Sequence, residues 1–278
     1  MTGLFLSIDF DFFTRENPLW DWGHRETGNP MWDHIMWHSR LSQFASVGVD
    51  PMQETNPDVH SPIRPGTFWD VMARSGLDVS GARLHIADSH MYGAFSHGLD
   101  GRSVVHIDAH HDLGYHDLKT TRKNLREQNA DCADWLLHVL HRNKGARTEQ
   151  YLSPWASPEG HWMDLPVAKR VRQTGLHLSD RDRIEATGLP GLTLTGKVST
   201  VFICKSGTWV PPWWDHLFVQ FIRDAETRTG SKRYNMDEQV DPMKVRMSFD
   251  EALSQYTQHR KTWAEVRARQ QVDLNPVY

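Results

Sequence analysis

Cysteine is nearly missing from the chain: Cys132 and Cys204 are the only two in 278 residues, and both sit in apolar segments far apart in sequence. So few thiols exclude a disulfide framework and a Cys-type zinc site, which leaves small core filler as their expected role. A dominant charge is missing too. Lys+Arg 31 against Asp+Glu 35 leaves a formal net charge of −4, which excludes the electrostatic footprint of a nucleic-acid binder. No run approaches the ~18 apolar residues that a membrane span requires. The start, Met1-Thr-Gly-Leu-Phe-Leu-Ser-Ile-Asp-Phe-Asp11, has neither a basic n-region nor a small-residue cleavage site. These gaps predict a cytoplasmic chain that partners neither nucleic acid nor membrane. Internal repeats and low-complexity tracts are lacking, and a hydrophobic share of 38% excludes general disorder. A chain of this length buries roughly three quarters of its unfolded surface, so it can enclose a polar site.

What is abundant is histidine, with 17 residues, and tryptophan, with 12. Many histidines, such as His34, His38, His138 and His141, fall on helix-like segments, where a surface or satisfied core role is the commoner one. Nearly continuous apolar runs at Leu4 to Phe13, Arg83 to Ala87, Ser103 to Ile107 and Val198 to Cys204 read as buried strands. Helices are expected over Met31 to Ala45, Thr67 to Arg74 and Asp131 to Arg142, the last two ending near Gly76 and Gly145. Ser248-Phe-Asp-Glu251 reads as a capping box opening a helix to about Gln271. Stretches around Asn56 to Gly66, Ser153 to Pro166 and Gly188 to Gly196 read as loops, none of them a linker. Strands alternating with helices predict a parallel sheet flanked by helices in one domain over residues 1–278.

Two segments carry chemistry: Ser7-Ile-Asp9-Phe-Asp11 and Val104-Val-His-Ile-Asp108-Ala-His110-His-Asp112. In each, an apolar strand runs into carboxylates spaced by two, and residues i, i+2 and i+4 of an extended chain point the same way. Asp9 can meet Asp11, and Asp108 can meet His110 and Asp112, at the carboxyl ends of strands where parallel sheets gather ligands. Four carboxylates drawn together repel, and desolvating them costs several kcal/mol per ion. Neither segment carries Lys or Arg, so two divalent cations are the natural compensation. Carboxylates with imidazoles and no thiolate suit Mn2+, with Fe2+, Co2+ and Zn2+ as alternatives. His90, closing the strand Leu84-His-Ile-Ala-Asp-Ser-His90, is the expected sixth ligand, with Asp88 and His85 as its rivals. Against this stands the plainer reading of Asp-x-Asp as a turn or helix cap.

Asp108-Ala-His110-His-Asp112 resembles the Asp-Ala-His-x-Asp motif of the arginase/ureohydrolase superfamily, and Ser7-Ile-Asp9-Phe-Asp11 resembles its Ser-x-Asp-x-Asp motif. The likeness is closest to peptide arginases, which convert arginine to ornithine inside ribosomally made precursor peptides. In classical members the second motif comes late; here it comes first, which resembles a circular permutation. The motifs cover only about the first half of the chain. The resemblance implies a three-layer α/β/α sandwich with a mainly parallel sheet. It implies two Mn2+ ions with Asp108 and Asp9 shared, His90 and Asp112 completing one, and His110 and Asp11 the other. Asp11 is assigned to catalysis as well as ligation. The implied reaction is attack of a metal-bridging hydroxide on the guanidinium carbon, releasing urea.

A guanidinium keeps its charge, so its pocket needs a carboxylate. Asp70 is similar in placement to the family's guanidinium-binding glutamate, although Thr67-x-x-Asp70 reads equally as a capping box. Glu54 has the matching residue type in a less defined loop. For the proton shuttle, His116 is nearest by spacing and His111 second; a surface role competes for both. Where free-arginine enzymes place Asn, two positions beyond the last aspartate ligand, this chain has Gly114, which favours arginine within a precursor peptide. Trp20, Trp22, Trp32, Trp37 and Trp209 to Trp214 could line a peptide groove, or serve as core or subunit contacts. Competing functions are a free ureohydrolase, a deacetylase-type amidohydrolase and a non-catalytic peptide-binding module stabilised by metal.

Overall fold

In a computed structural model of the chain, the structure describes residues 3–15, 26, 29–61, 63–96, 103–110, 112–114, 118–143, 146, 148–153, 184–185 and 196–273. Its strands are β1 (Leu4–Asp9), β2 (Leu77–Asp78), β3 (Arg83–Ala87), β4 (Val104–Asp108), β5 (Thr148–Leu152), β6 (Ile184–Glu185), β7 (Gly196–Cys204) and β8 (Arg233–Asn235). Seven of them form a parallel sheet in the order β6-β5-β4-β1-β7-β3-β8, with β2 pairing alongside the start of β7. The helices are α1 (Pro30–Val47), α2 (Pro51–Glu54), α3 (Pro57–His60), α4 (Pro65–Ser75), α5 (Leu118–Glu127), α6 (Trp135–Arg142), α7 (Asp215–Thr229) and α8 (Phe249–Asp273).

The alternation of side chains along the central strands divides the core in two. Leu6 and Ile8 of β1, Val105 and Ile107 of β4, and Val201 and Ile203 of β7 face Phe68, Trp69 and Met72 of α4 and Phe218, Phe221 and Ile222 of α7. On the other face Phe5, Val104, Phe202 and Cys204 meet Trp135, Leu136, Val139 and Leu140 of α6. Helices thus cover both sides of the sheet, giving an α/β sandwich. Strands buried on both faces need apolar residues at every position, which explains why these runs do not alternate in sequence. A third cluster joins α1, α2 and α8 through Trp37, Phe44, Met52, Trp213 and Ala252.

Several local expectations change. The first strand stops at Asp9, not Phe13, because Phe10–Phe13 winds into a 3-10 turn, with the Asp9 carboxylate accepting from the Asp11 N–H. The turn buries all three phenylalanines, and Phe10 and Phe13 pack edge-on against Phe221 at 5.6 and 5.4 Å. The stretch around 56–66 holds α3 and the start of α4 rather than a plain loop. The capping box at Thr67 and Asp70 is absent: α4 begins at Pro65, whose fixed φ suits a first turn, so Asp70 falls inside the helix. At α8 the expected cap is present, the Glu251 N–H donating to Ser248 Oγ at 3.1 Å. Among the described residues, no helix is long and apolar enough to cross a membrane.

Candidate metal centre

Register brings the polar strand ends together. Ile8 lies opposite both Ile107 of β4 and Ile203 of β7, and Ala87 of β3 opposite Cys204. The strand ends Asp9, Asp108, Cys204 and Ala87 therefore stand in one row at the carboxyl edge of the sheet. Asp9 and Asp108 share the parity of Phe5 and Val104, so they point toward α6. The remaining ligands arrive by turns, not by extended chain. Asp11 sits in the 3-10 turn after β1, and His90 opens another turn capped by Ser89. Asp112 reaches back through a left-handed backbone with φ +51°. A non-glycine residue held there is strained, a condition that persists only where surrounding contacts enforce it.

The cluster has two groupings that share Asp108. His90 Nδ1 lies 2.8 Å from Asp9 Oδ2, 3.2 Å from Asp108 Oδ2 and 3.3 Å from Asp112 Oδ2. His110 Nδ1 lies 3.1 Å from Asp11 Oδ2 and 3.5 Å from Asp108 Oδ1. All four aspartates are buried. Among the described residues, their ion pairs are with histidine alone, never with Lys or Arg. Burial, and then the neighbouring charges of Asp9 and Asp108, push the Asp11 carboxyl well above its ordinary range; burial and Asp108 do the same to Asp112. Burial opposes charge on His90, but Asp9 and Asp108 outweigh it and raise its pKa well above normal. Asp108 runs the other way, since the imidazoles around it overcome its burial and hold it well below the usual range.

Comparison of the chain with known protein families, curated proteins and solved structures finds no match. The fit to metal therefore rests on the donor set itself. Asp11 Oδ2, Asp108 Oδ2, His90 Nδ1 and His106 Nε2 are buried and make no well-aligned hydrogen bond, their contacts being the ion pairs of the cluster itself. A buried polar atom left so costs about 1–3 kcal/mol, and more if charged. Here they converge: Asp11, Asp108 and His110 offer donor atoms within 4.8 Å of one another, as do His90, His106 and Asp108. Oxygen and imidazole donors in this proportion suit divalent cations of the Mn2+ and Zn2+ type.

Outer contacts orient these ligands. With Nδ1 facing the carboxylates, His90 Nε2 is hydrogen-bonded to Ser7 Oγ at 2.9 Å, which holds the ring in place. Trp135 Nε1 donates to Asp112 Oδ2 at 2.6 Å, and its ring stacks on His90 at 5.0 Å and 13°. Gly93 makes room for that ring, since a Cβ there would lie 2.8 Å from it. Ser206 Oγ donates to Asp9 Oδ2 and lies 2.7 Å from Glu26 Oε1, while the His90 backbone N–H donates to Glu26 Oε2 at 3.2 Å. Burial and the charge of Asp9 push the Glu26 carboxyl up to about 7. Cys204 lies in the floor of the site, its thiol kept protonated by burial and by Asp9.

The structure brings Asp9, Asp11, His90, Asp108, His110 and Asp112 together. Of the rivals to His90, His85 lies beside the Tyr234 ring of the edge strand at 5.9 Å, and Asp88 faces Arg246 and Lys205. Asp70 is exposed and ion-paired with Arg228 of α7; Glu54 pairs with Arg15 at 3.6 Å. His116 and His111, with Trp20 and Trp22, lie outside the described residues. Trp37 and Trp213 are core, whereas Trp32 is exposed. Gly114 has a backbone reason for its identity, at φ +93° with its N–H donating to Ala133 O. Sequence reasoning missed His106, Ser7, Glu26, Trp135 and Ser206. The alternation that selected Asp108 also selects His106 two residues earlier, and likewise Ser7 before Asp9. Glu26 and Trp135 carry no local signal.

Proposed function

We propose that the chain is a binuclear metal-dependent hydrolase of the guanidino C–N bond, a permuted relative of the arginase/ureohydrolase superfamily that acts on arginine within a peptide. The observation that supports it is the convergence of four buried aspartates and three histidines, whose ion pairs, among the described residues, are with one another and include no Lys or Arg. Two Mn2+ ions held by Asp9, Asp11, His90, Asp108, His110 and Asp112 would supply Lewis acidity and lower the pKa of water toward neutrality. His106 offers a further imidazole beside Asp108.

The chain's own groups set up the rest. Glu26, rather than Asp70 or Glu54, is the carboxylate that stands beside the aspartate cluster, and among the described residues no Arg is paired with it. Its raised pKa favours a shared proton when the pocket is empty, and a guanidinium placed against it would restore its charge. The planar cation could then donate to Glu26 with its carbon toward the aspartate cluster. Trp135 and Phe202 close the α6 side of the cluster to water. His116 is the residue assigned to return a proton to the ornithine amine as urea departs. Gly114 in place of a carboxylate-clamping side chain favours a peptide over the free amino acid.

The test is direct. Metal-loaded protein is incubated with free arginine, an arginine-containing peptide and an acetyl-lysine peptide, and urea, peptide mass and acetate are measured. Urea from the peptide alone, with the small mass loss that separates an arginine from an ornithine residue, is the expected result. Urea from free arginine alone, acetate, or no product from any of the three would overturn it in favour of a free ureohydrolase, a deacetylase or a binding module respectively.

A further inference from the structure

His34 and His38 stand one turn apart on α1, outside the aspartate cluster. Their Nε2 atoms are 3.0 Å apart and their ring centroids 4.4 Å apart. Two nitrogens bound to one cation at ~2.0–2.1 Å, with ligand angles of ~90–110°, are ~2.9–3.4 Å apart, so the pair is spaced as chelating ligands are. The neighbouring helix supplies more donors. Trp263 of α8 donates to Ser42 Oγ of α1, and Arg267 to Ser46 O, each across a separation of 221 residues. The two helices therefore run side by side, with His259 of α8 close enough to His38 to act on it. Gln255 Oε1 is buried without a hydrogen-bond partner, and its amide nitrogen lies 3.5 Å from Glu251 Oε1. His259 and Glu251 both act electrostatically on His38.

We propose that the seam between α1 and α8 carries a second metal site, in which His34 and His38 chelate a divalent transition-metal cation and His259 joins them from α8. Nitrogen-rich donors select Zn2+, Cu2+ or Ni2+ over the harder cations that suit the aspartate cluster. Burial, followed by the nearby His34 and His259, lowers the pKa of His38, which favours the neutral imidazole that binds metal. Bound there, the ion ties the long C-terminal helix to α1.

Zinc is the probe, added to full-length protein free of any histidine tag and carrying Asp108→Asn, so that the aspartate cluster is impaired. A competition titration against a chromophoric chelator is expected to show one zinc equivalent that His38→Ala and His34→Ala each remove. His259→Ala should weaken it by more than the ~10-fold that outer-shell partners commonly cost. In the unaltered chain, zinc should shift the ring-nitrogen resonances of His34 and His38 together. Circular dichroism checks that each variant folds; His34 is exposed, so its replacement spares the core. Equal zinc stoichiometry and affinity in the parent and both α1 variants overturns the proposal, as does the absence of those resonance shifts. An unchanged affinity in His259→Ala overturns the bridging of the two helices. Turnover is not a readout, so failure here is separate from failure of the hydrolase reading.

Discussion

Asp108 has two oxygens that face different imidazoles, Oδ2 toward His90 and His106 and Oδ1 toward His110. Asparagine in its place removes the charge both groupings share while keeping the shape. Asp108→Asn and Asp9→Asn are each expected to lower metal content from two ions per chain to fewer than one, measured by elemental analysis after gel filtration. Two retained ions would sink the ligand assignment. Glu26 makes a different prediction, because it touches the Ser206 hydroxyl and the His90 backbone without being one of the six ligands. Glu26→Gln should keep both metals and lose transition-state stabilisation of about 2–5 kcal/mol in kcat/KM toward an arginine peptide, the usual loss when a buried charge pair is broken. Unchanged kcat/KM would return the guanidinium role to another carboxylate.

Helix α6 acts on the site through Trp135, which both donates to Asp112 and covers His90. Asp112 needs that hold, since its backbone lies in the left-handed region. Trp135→Phe keeps the ring and removes the donor, so the fold should survive while metal affinity falls about 10–100-fold, as when an outer-shell partner of a ligand is lost. Chelator competition measures it, and an unchanged affinity would mean that Asp112 is held by its turn alone. The turns after β1, β3 and β4 share one logic. Each strand ends flush with its neighbours, and two to four further residues fold back to bring another ligand into the same space, Asp11 after β1, His90 after β3, and His110 and Asp112 after β4.

At the scale of the whole molecule, a buried charge network ties the segment beyond β7 to α7 and to the chain before α8. Lys205 is fully buried one residue beyond β7, 3.1 Å from Asp215 at the start of α7, and Arg246 donates to both Asp215 oxygens and to the carbonyls of Gly207 and Val210. Burial pushes the Asp215 carboxyl up, but Arg246 and Lys205 outweigh it and hold it below its ordinary range. A depressed folded pKa contributes stability that is present above the unfolded value and lost as pH falls through the folded one. Asp215→Asn should therefore destabilise the protein by about 3–5 kcal/mol at neutral pH by leaving buried cations unpaired. It should also flatten the acid limb of the stability curve, read by urea unfolding across pH. A variant as stable as the parent would show that the cations re-pair elsewhere.

Residues 9, 11, 108, 110 and 112 were legible in the linear chain, because buried parallel strands must be apolar throughout and any acid at their ends stands out. The central strands and most helices were legible for a related reason: burial periodicity and capping act over a few residues. Local rules failed where long-range packing chose the backbone. Strand alternation could not foresee that β1 and β4 would stop at Asp9 and Asp108, with turns carrying Asp11 and Asp112 inward. Nor could it foresee that Pro65 would start α4 and leave Asp70 facing Arg228. Glu26, Ser206 and Trp135 join the site only through contacts spanning 64, 197 and 23 residues. No short-range preference encodes such contacts; they exist because the register of the sheet and the packing of α6 bring those residues to one edge.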